Sequence, residues 1–153
     1  MGVKVNVSHV NHEPDWHSLR TLIGPADFVP SAIDRLMTAK TDAEAVTAYW
    51  ELDNRVVVQG QLFEAAEAVA REMVRRICTT EVSPPGLVRA LDLLVELAYG
   101  EADASEVVVG DGDLGSRCRD EIRQGMPCLQ ARAPAGGDRA QAAVRDLADR
   151  LNG

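Results

Sequence analysis

Residue types that bind metals are concentrated near the start of the chain. His12, Glu13, Asp15 and His17 lie within six residues, and imidazole and carboxylate groups suit zinc or iron. A helical H-E-x-x-H site needs two histidines four positions apart on one face. Here they are five apart with Pro14 between them, and Asp15 is placed to cap a helix. The spacing therefore predicts no metal site and no cofactor.

A second stretch with candidate chemistry is Asp111–Gly115, which begins like a calcium loop or a phosphate turn. It lacks the later ligands and terminal Glu of an EF-hand, and the Lys of a P-loop. No G-x-S-x-G turn occurs, so no serine is marked as a nucleophile. A capped helix start explains the stretch, and the chain offers no catalytic residues.

The three cysteines are Cys78, Cys118 and Cys128, an odd number with no paired spacing. This pattern predicts structural thiols in a reducing compartment. The sequence also has no apolar run long enough to span a bilayer and no apolar block of a secretory signal. We therefore expect a soluble cytoplasmic protein that does not bind membranes.

The charge is strongly acidic and unevenly distributed. The chain carries a net charge of −8, which opposes binding to a nucleic-acid backbone. Residues 81 to 113 hold eight Asp or Glu and one basic residue, Arg89, a sum of −7. An acidic surface steers a basic protein partner towards it, so a basic protein is the expected partner.

The composition favours helices packed on helices. With two Phe, two Tyr and two Trp, a core must come mostly from Leu, Val, Ile and Ala. The longest helical pattern, residues 61 to 80, has no Gly or Pro. Its apolar stripe is wide, which predicts a helix covered on both flanks. The stripe is Leu62, Ala66, Val69, Met73 and Ile77.

Capping signals place most of the other helices. Asp15 is the expected N-cap of a helix over residues 16 to 23, and Ser31 with Asp34 resembles a capping box. Thr41 and Glu44 form a second box before a helix over residues 42 to 54. Ser83, followed by two prolines, is expected to start the helix over residues 85 to 99.

The remaining chain predicts a third helix pair, residues 113 to 124 and 138 to 151. Gly125 and Pro127 should break or kink the first of these. The valines at positions 107 to 109 are expected to tuck against the helices. Three successive pairs predict an all-α fold, an αα-superhelix of about three antiparallel pairs, in one domain over residues 15 to 153. Residues 1 to 14, with alternating valines, would form an arm or a short strand.

Two stretches, Asp15–Met37 and Asn54–Ala65, resemble bacterial HEAT-like repeat proteins. The matching positions are Trp16, Leu19, Gly24, Pro25, Ala26, Val29, Pro30, Asn54, Val56, Gln59, Gly60, Phe63, Glu64 and Ala65. The family commonly has His before Gln-Gly, where this chain has Val58, so chemistry depending on that His is not expected. The resemblance implies an αα-superhelical scaffold without a settled activity.

The sequence around Gly60 allows two interpretations. Gly permits a positive φ, so a sharp turn there would end one helix before the next. Asn54, Gln59 and Glu64 could then hydrogen-bond exposed backbone groups. The alternative is one continuous helix from residue 46 to 75.

In stacked helix pairs the second helices line a concave face. Here these are residues 42 to 54, 85 to 99 and 138 to 151. We expect a non-enzymatic scaffold that binds a protein partner, and Trp50 is either its aromatic anchor or a core residue. The predicted binding residues are Trp50, Glu51, Asn54, Arg89, Asp92 and Glu96, with Thr47 and Arg145 on the same face.

A narrower form of this hypothesis is an immunity or regulatory protein that neutralises a basic toxin or enzyme, because charge steers such encounters. The alternative is a small enzyme or ligand-binding protein. It would have a pocket between helix pairs, with His12, Glu13 and His17 on an N-terminal arm that acts as a lid.

Overall fold

The computed structural model describes residues 13–152, which are mostly helical, so the predicted all-α class is confirmed. The arm or strand predicted for residues 1–14 lies outside the described residues, apart from Glu13 and Pro14. The α-helices are α1 (Val29–Met37), α2 (Asp42–Val56), α3 (Ala66–Thr79), α4 (Pro84–Tyr99), α5 (Ala104–Val108), α6 (Leu114–Arg132) and α7 (Gly137–Asn152). Short 3-10 turns cover Trp16–Ser18 and Ala133–Gly136.

Six of these helices form two layers. In the first layer α3 lies between α1 and α6, and in the second layer α4 lies between α2 and α7. The α4 helix also packs on α1, α3 and α6 across the layers, and its inner face is fully apolar. α3 is flanked on both sides as predicted, but α4 contacts more helices than α3 does.

A small sheet that the sequence did not predict joins the layers. Its strands are β1 (Val57–Val58), β2 (Gln61–Leu62) and β3 (Glu101–Ala102), in the order β1-β2-β3. β2 runs antiparallel to β1 and parallel to β3. The predicted helix over residues 61 to 80 therefore starts too early, because the Gln61–Leu62 backbone pairs with both neighbouring strands and α3 begins at Ala66.

The predicted turn at Gly60 is confirmed, and the continuous helix over residues 46 to 75 is wrong. β1 and β2 are joined by two residues, Gln59 and Gly60, with φ of 53° and 80°. Positive φ at both central residues is what the tight hairpin turns that match strand twist require. The turn lets Val57 pair with Leu62.

Of the break or kink predicted at Gly125 and Pro127, the break is wrong, because α6 runs through both to Arg132; the kink stays a prediction. A Cβ atom at position 125 would lie 2.3 Å from Cγ1 of Val74 on α3. The missing side chain therefore lets α3 and α6 pack closely, and the buried apolar face of α6 keeps the helix intact. This packing outweighs the cost of a proline in its interior.

Two predicted caps are confirmed and two are wrong. The Thr41 hydroxyl accepts a hydrogen bond from the Glu44 N–H at 3.1 Å, and the Ser83 hydroxyl accepts one from the Gly86 N–H at 3.2 Å. The Asp15 side chain caps no helix. The expected helix is only a short 3-10 turn, Trp16–Ser18, in which Trp16 is buried. α1 begins at Val29, ahead of Ser31, without a side-chain cap.

Two of the three cysteines are not free thiols, contrary to the prediction. Cys78 at the end of α3 and Cys128 on α6 form a disulfide, with Cα atoms 6.0 Å apart. Cys118 is a free, buried thiol. The close approach of α3 and α6 brings the two sulfurs together across 50 positions of sequence.

None of the helices that the structure describes is long and apolar enough to cross a membrane.

Candidate functional site: an acidic cleft across three helices

A cleft of about 450 Å³ runs over α4 between α2 and α7. These are the three helices that the sequence predicted to line one face. We call it the acidic cleft. The residues lining it are Tyr49, Asp92, Val95, Glu96, Arg139, Ala142, Ala143 and Asp146.

Helical spacing explains why these side chains meet. Val95 and Glu96 come three and four positions after Asp92, which places all three on one face of α4. The other face of α4 is committed to the core by residues such as Leu94 and Leu97, which are fully buried. The cleft residues of α7 repeat the same steps, and their small alanines leave the space open.

Asp53 lies one helical turn after Tyr49 on α2, beside the cleft. Partial burial and, to a smaller extent, the charge of Glu96 raise the pKa of Asp53 to about 6, against a weaker opposing effect of the Tyr49 side chain. Burial also raises the pKa of Asp92, although Arg139 and Arg89 oppose this. The site therefore holds carboxylates whose negative charge is incompletely compensated.

The ion pairs within the cleft involve few cations. Asp92 lies 3.6 Å from a guanidinium nitrogen of Arg139 and 3.6 Å from one of Arg89. Asp146 accepts a hydrogen bond from the Tyr99 hydroxyl at 2.8 Å. Glu96 is exposed and forms no ion pair within the part of the chain that the structure describes. The cleft thus keeps an excess of negative charge facing solvent.

The structure places Trp50 at the surface, which settles whether it is a core residue. Its side chain is 49% exposed, and its ring meets Tyr49 edge to face with centroids 5.3 Å apart. Trp50 is thus in contact with Tyr49, which lines the acidic cleft, although Trp50 is not itself a lining residue. Aromatic pairs of this kind hold the ring in a defined orientation.

Of the other predicted binding residues, some lie in or next to the acidic cleft and the rest lie elsewhere on the surface. Asp92 and Glu96 line the acidic cleft, and Arg89 lies one turn earlier on α4, where it also pairs with Asp42 at 3.2 Å. Glu51 pairs with Arg35 of α1 instead. The remaining three are exposed outside the cleft lining: Thr47, Asn54 and Arg145.

The predicted acidic surface over residues 101 to 113 is largely neutralised, which corrects that part of the charge argument. Glu101 pairs with Arg119 and Arg150, and Asp111 and Asp113 both contact Arg117. Glu106 is buried against Arg20. The fifth acid, Asp103, caps α5 by accepting a hydrogen bond from the Ser105 N–H at 3.0 Å.

Sequence reasoning missed the pair of Arg20 and Glu106. The two residues are 86 positions apart. No local pattern links them. The one local signal was that Glu106 directly precedes three consecutive valines. These valines, at positions 107 to 109, are 54%, 84% and 62% exposed, so the prediction that they tuck against the helices is wrong and the buried residue of this turn is Glu106 instead.

The N-terminal candidate residues that the structure describes form local contacts. The Nδ1 atom of His17 lies 2.9 Å from Asp27, whose hydrogen bond raises the pKa of this exposed histidine. Glu13 accepts a hydrogen bond from the Trp16 indole at 3.2 Å. His12 lies outside the described residues. Between residues 13 and 152 no three His, Cys, Asp or Glu side chains are grouped to hold a metal ion.

Cys118 is unsuited to nucleophilic chemistry. Burial raises the pKa of its thiol to about 12, and the charge of Glu67 adds to this. A thiol with such a pKa is protonated at neutral pH, whereas the thiolate is the reactive form. Cys118 is therefore a buried side chain of α6 that packs in the hydrophobic core.

Comparisons with known proteins add no family to this geometry. No family model matches the chain, and neither a curated protein nor a solved structure matches it. The resemblance to bacterial HEAT-like repeat proteins therefore stays a prediction.

Proposed function

We propose that the protein is a non-enzymatic helical-repeat scaffold that binds a basic segment of a protein partner in the acidic cleft. One observation carries this proposal. Three helices from distant parts of the sequence converge on a single open cleft, and its ionisable side chains are mainly carboxylates. Extended faces of this kind are how helical-repeat proteins bind partners.

Arginine or lysine side chains fit the cleft chemistry. Asp53 and Glu96 repel each other, and a guanidinium between them would relieve this repulsion with charge-assisted hydrogen bonds. Desolvation costs less here than for exposed acids, because Asp53 is already partly buried. The same charge would also speed the encounter with a basic partner.

Trp50 supplies the apolar part of the proposed interface. Exposed Trp side chains are enriched among the residues that dominate binding energy. Trp50 also stands beside Asn54, which is exposed one turn further along α2. A basic segment in the cleft that extends past Tyr49 would thus contact Trp50 as well as Asp146.

An immunity or regulatory role is the narrower form of this proposal. A small acidic protein that covers a positively charged active site would inhibit the enzyme that carries it. Nucleic acid is excluded as a ligand by this proposal, because the cleft repels phosphates.

The proposal is tested by fluorescence anisotropy with labelled peptides of equal length, one rich in Arg and Lys and one rich in Asp and Glu. The basic peptide should bind, and the affinity should fall as salt is raised. Glu96→Arg should weaken binding about tenfold or more, while Glu81→Arg, an equal charge change outside the cleft, should change it by less than about twofold. Equal losses in both variants, or no binding of the basic peptide, would refute the proposal.

The cytoplasmic location is also a proposal, and the Cys78–Cys128 disulfide does not favour it. Disulfides form and persist mainly in oxidising compartments. Counting free thiols in protein quenched with acid directly from its native cells decides the point. A single free thiol per chain would contradict a reducing location, and three would support it.

A ligand-binding protein is the second candidate, supported by a cavity of about 310 Å³ beside the first described residues. Pro14, Asp15 and Ser18 form part of its wall, opposite Glu67 and Arg117. A deletion of residues 1–14 tests it, with thermal shifts measured against a panel of small metabolites. Ligands that stabilise only the full chain would support it, and an unchanged panel would reject it.

A further inference from the structure

The Cys78–Cys128 disulfide joins the end of α3 to the last turn of α6. Both cysteines are half-buried, so a thiol in solution has access to the bond. Accessible disulfides are the ones that exchange with thiols and act in regulation. The Arg132 side chain also donates a hydrogen bond to the Cys78 carbonyl at 3.1 Å. The last turn of α6 is therefore held on α3 through both the side chain and the backbone of Cys78.

The preceding part of α6 is fixed on α3 by contacts that do not depend on the disulfide. Arg71 of α3 donates to Glu121 of α6 at 3.0 Å. A Cβ atom at Gly125 would lie 2.3 Å from Cγ1 of Val74, so the two helices are in close contact there. These contacts remain when the disulfide is broken. We therefore expect α6 to stay on α3 as far as Gly125.

Pro127 separates this fixed part of α6 from the last turn. A proline inside a helix has no N–H to donate to the carbonyl four residues earlier, and its ring crowds that carbonyl, which weakens the helix at this point. Among residues 128 to 132, Leu129 alone is fully buried, and the three residues after it are exposed. Apolar packing thus contributes little to holding this turn on α3, and the disulfide contributes much.

We propose that the Cys78–Cys128 disulfide is a redox-operated latch. Its reduction by a dithiol releases residues 128–132 from α3, with Pro127 as the hinge. One thiol of the dithiol attacks a cysteine sulfur, which forms a mixed disulfide and frees the other cysteine. The second thiol then displaces the remaining cysteine from that mixed disulfide. The protein disulfide thus gains two electrons and two protons, and the dithiol becomes a disulfide.

Release of this turn changes the surface between α6 and α7. A groove of about 300 Å³ lies there, with Gln130 and Ala133 on one side and Val144 and Arg145 on the other. Gln130 belongs to the turn that reduction releases, so the groove loses part of one wall. The redox state of the disulfide therefore selects between two shapes of this surface, as thiol switches do in general. The latch is independent of the acidic cleft and of the partner proposed for it.

Backbone order measured by ¹⁵N relaxation in the full chain tests the latch. In the oxidised protein, residues 128–132 should have order parameters of about 0.85, as a rigid helix does. After treatment with dithiothreitol these should fall below about 0.6, while residues 114–125 stay at about 0.85. Cys118→Ala removes the buried free thiol and is the control, which should respond to dithiothreitol in the same way. Order lost throughout the chain, or order kept at residues 128–132, would overturn the proposal.

A substitution at the hinge tests the role of Pro127. Pro127→Ala restores the missing N–H donor within α6 and replaces a poor helix former with a good one. Residues 128–132 should then stay ordered after reduction, with order parameters of about 0.85. Pro134→Ala, in the 3-10 turn that follows α6, is the matched control and should leave the loss of order unchanged. If Pro127→Ala lost order on reduction as the native chain does, Pro127 would not be the hinge and the proposal would be overturned.

Discussion

The guanidinium of Arg20 lies 2.5 Å from the Oε1 atom of Glu106, a side chain with 2% of its surface exposed. The Oε2 atom of Glu106 accepts a hydrogen bond from the Glu64 N–H at 3.2 Å. Arg20 also pairs with the Glu64 carboxylate at 3.2 Å. One buried carboxylate thus joins the segment before α1, the start of α3, and α5.

Removing the cation should cost more than neutralising the acid. Arg20→Met leaves a buried carboxylate without its partner and should lower the free energy of unfolding by about 2 to 4 kcal/mol. Glu106→Gln keeps the shape and part of the hydrogen bonding, and should cost about 1 to 2 kcal/mol. Urea unfolding measures both. Arg123→Met, which breaks an exposed pair with Asp120, should cost under about 0.5 kcal/mol; a similar loss at Arg20 would contradict the role of the pair.

The disulfide between Cys78 and Cys128 should contribute strongly to stability. It closes a segment across 50 sequence positions, so its loss restores much chain entropy to the unfolded state. Cys78→Ser with Cys128→Ser should lower the free energy of unfolding by about 4 kcal/mol. Thiol titration of purified, denatured protein should find one free thiol per chain. Three thiols, or unchanged stability in the double variant, would contradict the bond.

Asp53 should make the protein less stable as pH rises. Its pKa in the fold is about 6, above the ordinary value of 3.8, so between these values the folded state binds more protons than the unfolded state. Stability is therefore lost as the pH rises through this window. Asp53→Asn should raise the free energy of unfolding at pH 7 by about 1 to 2 kcal/mol, after allowance for partial exposure, and change it little at pH 4.

Urea unfolding of Asp53→Asn at the two pH values measures this difference. Asp149→Asn removes an exposed acid of α7 and is the matched control, with no change expected at either pH. If Asp53→Asn were destabilising at pH 7, Asp53 would instead be stabilised as a carboxylate, and its assigned role would be wrong.

Gly60 should resist substitution because of its backbone and not because of crowding. Its φ is +80°, while a Cβ atom at this position would meet nothing within 4 Å. Gly60→Ala should therefore cost about 1 kcal/mol, and Gly60→Val more. Gly112→Ala, in a turn where a Cβ meets Val107 only at ordinary contact distance, should stay within about 0.5 kcal/mol. Thermal unfolding that shows Gly60→Ala to be stabilising would contradict the hairpin.

Local signals predicted much of the helical fold. The Thr41 and Ser83 caps, the apolar faces and the turn at Gly60 each depend on neighbours in sequence, and the structure confirms them. The predictions were wrong where contacts between segments distant in sequence determine the local structure. Pairing with Glu101 and Ala102 turns Gln61 and Leu62 into a strand, and contact with Val74 makes Gly125 a packing residue within a helix.

The site could be predicted only in part for the same reason. Asp92 and Glu96 share a face of α4 by spacing alone, so they could be assigned together. Tyr49, Asp53 and Arg139 join them only through the packing of α2 and α7 on α4. The pairing of acids in residues 101 to 113 with distant arginines could not be inferred from charge counts.

Amide chemical-shift mapping of the full chain with a basic peptide tests the central claim most directly. If the acidic cleft is the binding site, the largest shifts should occur together on three helices, at residues around Tyr49, Glu96 and Arg139, and Glu96→Arg should abolish them. Glu81→Arg should leave the pattern intact. Shifts confined to α1, α3 and α6, or spread evenly over exposed acids, would contradict binding in the cleft.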